Sequence, residues 1–65
     1  MRINSLEAYH SAGVRCGKAR RHGDETTAQY FHRWLVSALA METPEYRPIA
    51  RSEFDKAYID ETTLT

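Results

Sequence analysis

His10, Cys16, His22 and His32 are the side chains with the most reactive chemistry in this 65-residue chain, and their spacing decides whether they can act together. His10, Cys16 and His22 are each six residues apart, a step that turns successive side chains by about 240° on a helix, whereas zinc ligands come in close pairs such as C-x2-4-C or H-x3-5-H. A metal site is therefore not expected. Cys16 stands among Ala12, Gly13 and Gly17, the surroundings of a small buried apolar residue and not of an activated nucleophile. His32 and Tyr30, with Glu7 or Asp55 nearby, could be drawn as an acid/base set. Nothing in the sequence specifies a pocket around them, and a domain this short rarely encloses one. No catalytic residue, cofactor or metal is expected, and the chain reads as a non-enzyme.

The second candidate chemistry is charge. Arg15, Lys18, Arg20 and Arg21 follow one another with no acidic residue between Glu7 and Asp24. The net charge of zero hides a division: residues 1–23 carry +4 and residues 24–65 carry −4. Such a molecule can attract its own halves, a second copy or a charged partner. Arg15, Lys18 and Arg21 share the outer side of the first predicted helix and suit an acidic protein surface. Together with Arg2 and Arg20 they would be the phosphate contacts of a nucleic-acid-binding alternative. A sequence pI near 6.8 weighs against that alternative. So does the reader helix that a helix-turn-helix would require, since Glu53, Asp55, Asp60 and Glu61 would then face phosphates.

These side chains must be positioned by helices. The segment 28–41 holds Phe31, Trp34, Leu35, Val36, Leu39 and Met41, the densest apolar run in the chain. At 100° per residue, Ala28, Tyr30, Phe31, Trp34, Leu35, Ala38, Leu39 and Met41 cover roughly half the circumference, wider than the ~100° stripe of a helix with one neighbour. The expectation is a central helix wrapped by two flanking ones. Gln29, Arg33, Ser37 and Ala40 form its wet side, with His32 at the edge and Val36 inside it.

A first helix over about 5–21 starts at Asn4-Ser5-Leu6-Glu7, where Asn4 can cap, Glu7 can reach back, and Ile3 can staple to Ala8. Its apolar side is built of small residues, and Gly13 and Gly17 each cost about 1 kcal/mol relative to Ala inside a helix. Close approach of the Phe31/Trp34/Leu35 face is the reason expected for them. Cations before Gly23 and a cap at Asp24 predict a tight hairpin with a second helix over about 25–42. Pro44 ends it. Pro48 then opens a third helix over about 48–61, with the stripe Ala50, Phe54, Ala57 and Tyr58; Ser52-Glu53-Phe54-Asp55 offers a later start, and 62–65 reads as a frayed tail.

Gly23-Asp24-x-x-x-Ala28, Tyr30-Phe31, Ala38-Leu39 and Pro44 resemble the second half of a tetratricopeptide motif, although the Ala-Leu pair and the proline come about one helical turn late. The resemblance implies helix–turn–helix pairing alone.

The fold class expected is all-α: one small three-helix domain over 1–65, a hairpin closed by the third helix. An apolar content of 42% and a charged content of 28% are those of a folded domain. A lone cysteine, the absence of an apolar leader pattern and the absence of a membrane-length apolar run point to the cytoplasm. At this size a single core barely offsets conformational entropy, so association is plausible. The function expected is a small protein-binding module or inhibitor that masks a surface of a larger protein, of the kind common among accessory proteins of bacteriophages and other mobile elements. Its contact residues would be Arg15, Lys18, Arg21, His32, Val36 and Tyr46. Tyr46 is expected to be an exposed aromatic in the proline-flanked linker. A structural subunit of a homo-oligomer, pairing through His32, Val36 and Ala40, is the further alternative.

Overall fold

The computed structural model describes residues 4–63, which form three helices: α1 (Leu6–Arg21), α2 (Glu25–Ala40) and α3 (Arg47–Thr63). They make an all-α three-helix domain in which α1 packs against both of the others while α2 and α3 scarcely meet. The domain measures 36 × 20 × 14 Å, with α1 in contact with both of the other helices.

The central helix is therefore α1, which corrects the expectation that α2 is the wrapped one. The reason lies in side-chain size. Ala12, Gly13, Cys16, Gly17 and Ala19 are all buried and let two neighbours come close to the α1 axis. On α2 only Ala28, Leu35 and Ala38 are fully buried, Phe31, Trp34 and Leu39 are half-buried, and Tyr30 and Met41, expected inside, face solvent.

The glycines of α1 permit close approach, but by α3 and not by α2. A Cβ at Gly13 would collide with the Phe54 carbonyl oxygen and lie 3.0 Å from Ala57 Cβ; one at Gly17 would lie 2.6 Å from Glu61 Cβ and 3.1 Å from the Tyr58 oxygen. Backbone meets backbone along this seam, so dispersion contacts along it are dense. The stripe Ala50, Phe54 and Ala57 is buried in it, with Tyr58 at its edge.

The α1–α2 turn is built as the sequence predicts. Gly23 takes φ +76°, its N–H donates to the Arg20 carbonyl at 3.1 Å, and the Asp24 N–H donates to that of Ala19 at 2.7 Å, the paired bonds of a Schellman motif. Asp24 then caps α2, accepting from the Thr27 N–H at 3.1 Å and the Thr27 hydroxyl at 2.6 Å.

At the start of α1 the cap is Ser5 and not Asn4: the Ser5 hydroxyl accepts from the Ala8 N–H at 3.2 Å. The Asn4 N–H is directed instead to Glu42 Oε2, 2.9 Å away. Ile3 of the expected staple, and Arg2, lie outside the described residues. The end of α2, which has no cation in its last turn, is closed by Arg47, whose guanidinium donates to the Leu39 and Ala40 carbonyls at 2.8 and 3.2 Å. α3 begins with Pro48 in its first turn, so the later start at Ser52 is not used. Its last turn includes Thr62 and Thr63, expected to be frayed; their hydroxyls donate to the Tyr58 and Ile59 carbonyls at 3.0 and 2.8 Å.

Tyr46 is a correction of more consequence. It is 4% exposed, not an exposed contact. The Thr43–Tyr46 turn folds it back over the end of the bundle, where its ring meets Tyr9 edge-on at 6.3 Å and its hydroxyl donates to the Asn4 carbonyl at 3.3 Å. Glu42 lies in the same place and is 3% exposed, its Oε2 accepting from the Tyr9 hydroxyl at 2.7 Å as well as from Asn4. A polar knot thus joins the start of α1 to the α2–α3 linker. Among the described residues no helix is long and apolar enough to cross a membrane.

Candidate functional site: the uncovered side of α2

Because α2 touches α1 along one side and hardly touches α3, most of its circumference is open. On the side away from α3, Thr26, Gln29, Tyr30, Arg33, Trp34 and Ser37 line a shallow cleft of about 440 Å³. Helical spacing brings them together, since 26, 30, 33 and 37 recur at three and four residues. Trp34 forms the floor, half-buried, its indole tilted against the Tyr9 ring at 5.4 Å. Tyr30 is 63% exposed and is held edge-on against Phe31 at 5.1 Å. Met41, 66% exposed, follows at the C-terminal end.

The opposite flank carries His32, Val36 and Ala40, all exposed, with Val36 at 57%. His32 borders a second cleft, of about 270 Å³, floored by Cys16 and walled by Leu35 from α2 and Phe54, Asp55 and Tyr58 from α3. The structure places His32 and Asp55 on one cleft but Tyr30 on the other side of α2, about 200° around the helix, so the acid/base set is not assembled. Glu7 is elsewhere, beside His10 and Glu53.

The basic residues of α1 divide in two. Arg20 pairs with Glu25 at 3.0 Å and Arg21 with Glu61 at 3.2 Å. Arg15 and Lys18 are exposed and, among the described residues, make no ion pair. Both lie on the side of α1 turned away from Gly13 and Gly17, and so from α3. Arg33 on α2 is likewise exposed without an ion pair among the described residues. From Thr26 to Met41 the helix has no carboxylate at all.

Among the described residues no three His, Cys, Asp or Glu side chains converge as a metal site. His10 Nδ1 lies 3.0 Å from Glu53 Oε2. Cys16 is buried, which pushes its thiol pKa up, and the thiol donates to the Ala28 carbonyl at 3.4 Å; a protonated, covered sulfur is a poor nucleophile.

Of the expected contact residues, Arg15, Lys18, His32 and Val36 are open to a partner, Arg21 is engaged by Glu61, and Tyr46 is inside. Tyr30, Arg33, Trp34 and Met41 are not among the contact residues expected from the sequence. The available signal was Arg33, the one charge on a helix face otherwise free of carboxylates. No family model, curated protein or solved structure matches the chain.

Proposed function

We propose that this chain is a small, non-enzymatic protein-binding module or inhibitor that masks a surface of a larger protein with the uncovered side of α2. The observation that carries the reading is the cleft on α2 in which exposed Tyr30 stands beside half-buried Trp34, with Val36 exposed on the opposite flank and Met41 just past the helix end; α3 exposes Ile49 and Ile59 but no aromatic side chain to the same degree. Exposed aromatic surface bordered by polar side chains is the composition of an interface. Tyr30 and Trp34 supply large, rigid contact area of the kind that dominates binding energy, and Gln29, Arg33 and Ser37 supply the rim.

The nucleic-acid reading is supported less well. Of its five cations Arg20 and Arg21 are already paired with Glu25 and Glu61. The three that remain, Arg2, Arg15 and Lys18, would give a shallow salt dependence and weak binding.

The test is affinity capture from lysate of the source organism with the intact chain as bait, run beside Tyr30→Asp and Met41→Asp. These positions are exposed, so both variants should fold, as circular dichroism would verify. Capture of a protein that both variants lose is the expected result. Capture of nothing, or of proteins retained equally by both variants, rejects the reading.

A further inference from the structure

We infer that the partner segment received by α2 is acidic and amphipathic: a protein segment presenting a large apolar side chain flanked by Asp or Glu. This inference rests on the reading that α2 is the docking side, and adds to it the chemistry of the occupant.

The charge distribution in space is what selects it. α2 from Thr26 to Met41 offers Arg33 as its only permanently charged group, and it stands at the rim of the Tyr30/Trp34 cleft. The adjoining helix adds Arg15 and Lys18 on its side away from α3. None of the three has an ion pair among the described residues, so each is available without breaking a contact. The carboxylates are elsewhere or occupied: Glu25 is held by Arg20, Glu61 by Arg21, Asp55 faces Arg51 at 3.6 Å, and Glu42 is buried in the polar knot. Asp24, at the hairpin turn, is engaged by the Thr27 N–H and hydroxyl, Glu7 lies beside His10 and Glu53 at the edge of α1 next to α3, and Glu45, Glu53 and Asp60 belong to the linker and α3. An acidic segment approaching the hairpin therefore meets attraction on α1 and α2 and leaves the repelling groups to one side, while a basic segment meets the reverse.

The cleft sets the remainder of the occupant's chemistry. The cleft is shallow and bordered by Trp34 and Tyr30, which suits an apolar side chain laid across it. A leucine or aromatic side chain laid there would bring a neighbouring carboxylate within reach of Arg33, whose planar guanidinium can take it in a bidentate pair. Gln29 and Ser37 can serve the peptide groups beside it. Phosphate could also pair with Arg33, but a nucleic acid needs a track of cations, and Arg15 and Lys18 provide only two more.

The experiment titrates the isotope-labelled intact chain with three probes, followed by amide NMR. The first is a synthetic amphipathic helical peptide with Leu and Trp on one face and Glu elsewhere; the second keeps the apolar face and replaces every Glu with Lys; the third is a single-stranded oligothymidylate. The expected result is that the Glu peptide shifts the amides of residues 29–37, binds about tenfold tighter than the Lys peptide, weakens with salt, and loses about tenfold in affinity with Arg33→Glu. Equal binding of the two peptides at residues 29–37 overturns the acidic occupant while leaving α2 as the docking side. Binding of neither peptide, or shifts confined to α3, overturns both. Oligothymidylate binding at these residues more tightly than the Glu peptide replaces the protein segment with nucleic acid.

Discussion

The Tyr9 hydroxyl donates to Glu42 Oε2 across 2.7 Å, joining residues 33 apart in sequence inside the core of a 65-residue chain. The same oxygen accepts from the Asn4 N–H, and the Tyr46 hydroxyl reaches the Asn4 carbonyl, so the N-terminal segment, α1 and the linker are tied at one point. Buried polar groups cost most when a partner is removed. Replacing Glu42 with Leu strands two donors and should lower unfolding free energy by about 3 kcal/mol, whereas Glu42→Gln, whose amide oxygen still accepts, should cost about 1 kcal/mol. Urea denaturation measures both; equal losses would mean that the knot contributes only packing.

Alkaline pH should loosen the same knot. Burial first, and the bond to Glu42 second, push the Tyr9 pKa from 10.0 up to about 12. A raised pKa means that the protonated phenol favours the fold. Its stabilisation is complete below pH 10 and is lost as pH rises from 10 toward 12. Tyr9→Phe should flatten this part of the stability profile, a difference readable by thermal melts at a series of alkaline pH values.

Gly13→Ala should destabilise the domain although alanine is the better helix former. The gain in propensity is about 1 kcal/mol, but the added methyl meets the Phe54 backbone oxygen and would push α3 off α1, at about 2–3 kcal/mol. Gly23→Ala should also cost about 1 kcal/mol, for a different reason: space is open there, but φ is positive. A Gly13→Ala protein more stable than the parent would dissolve the seam described above.

Acid should act at the α1–α2 turn. Hydrogen bonds from the Thr27 hydroxyl and N–H hold the Asp24 carboxyl below its usual range. A lowered pKa favours the fold when the group is ionised, so the contribution is present above pH ~4 and lost as pH falls through the folded value. Asp24→Ala should therefore lower the melting temperature at neutral pH, and the gap to the parent should narrow in acid. A gap that is independent of pH would assign the cap no ionic character.

Cys16 should react with thiol reagents only as fast as the domain opens, because its sulfur is covered and its pKa raised. Mild denaturant should accelerate the reaction steeply. Rapid labelling of the native chain would place Cys16 at the surface of the α2–α3 cleft and contradict its burial.

Local signals carried much of this fold. Gly23-Asp24 marks a turn by backbone geometry and capping, and Ala50, Phe54 and Ala57 mark a stripe by helical spacing; both are decided within a few residues and both are found. What depends on distant partners was not legible. The small side of α1 announces close approach but not by which helix, and two candidates were available. An apolar wheel cannot say which of its members a neighbour leaves uncovered, so Tyr30 and Met41 were placed inside. Tyr46 looked like a surface group because it follows a helix end; only the meeting of linker and N-terminal segment gives it and Glu42 their hydrogen-bond partners and makes burial tolerable. Arg33 was legible as a wet position, but that it makes no ion pair among the described residues is a property of three-dimensional arrangement.

The glycine seam between α1 and α3 also governs how such a chain can diverge. Positions 13 and 17 accept no side chain without moving a whole helix, while positions 30, 33, 37 and 41 touch little of their own molecule and can vary at little cost to the fold. Kinship among sequences of this type should accordingly be sought in a Gly-x-x-x-Gly helix followed by an enclosed acid, and their differences on the outer face of α2.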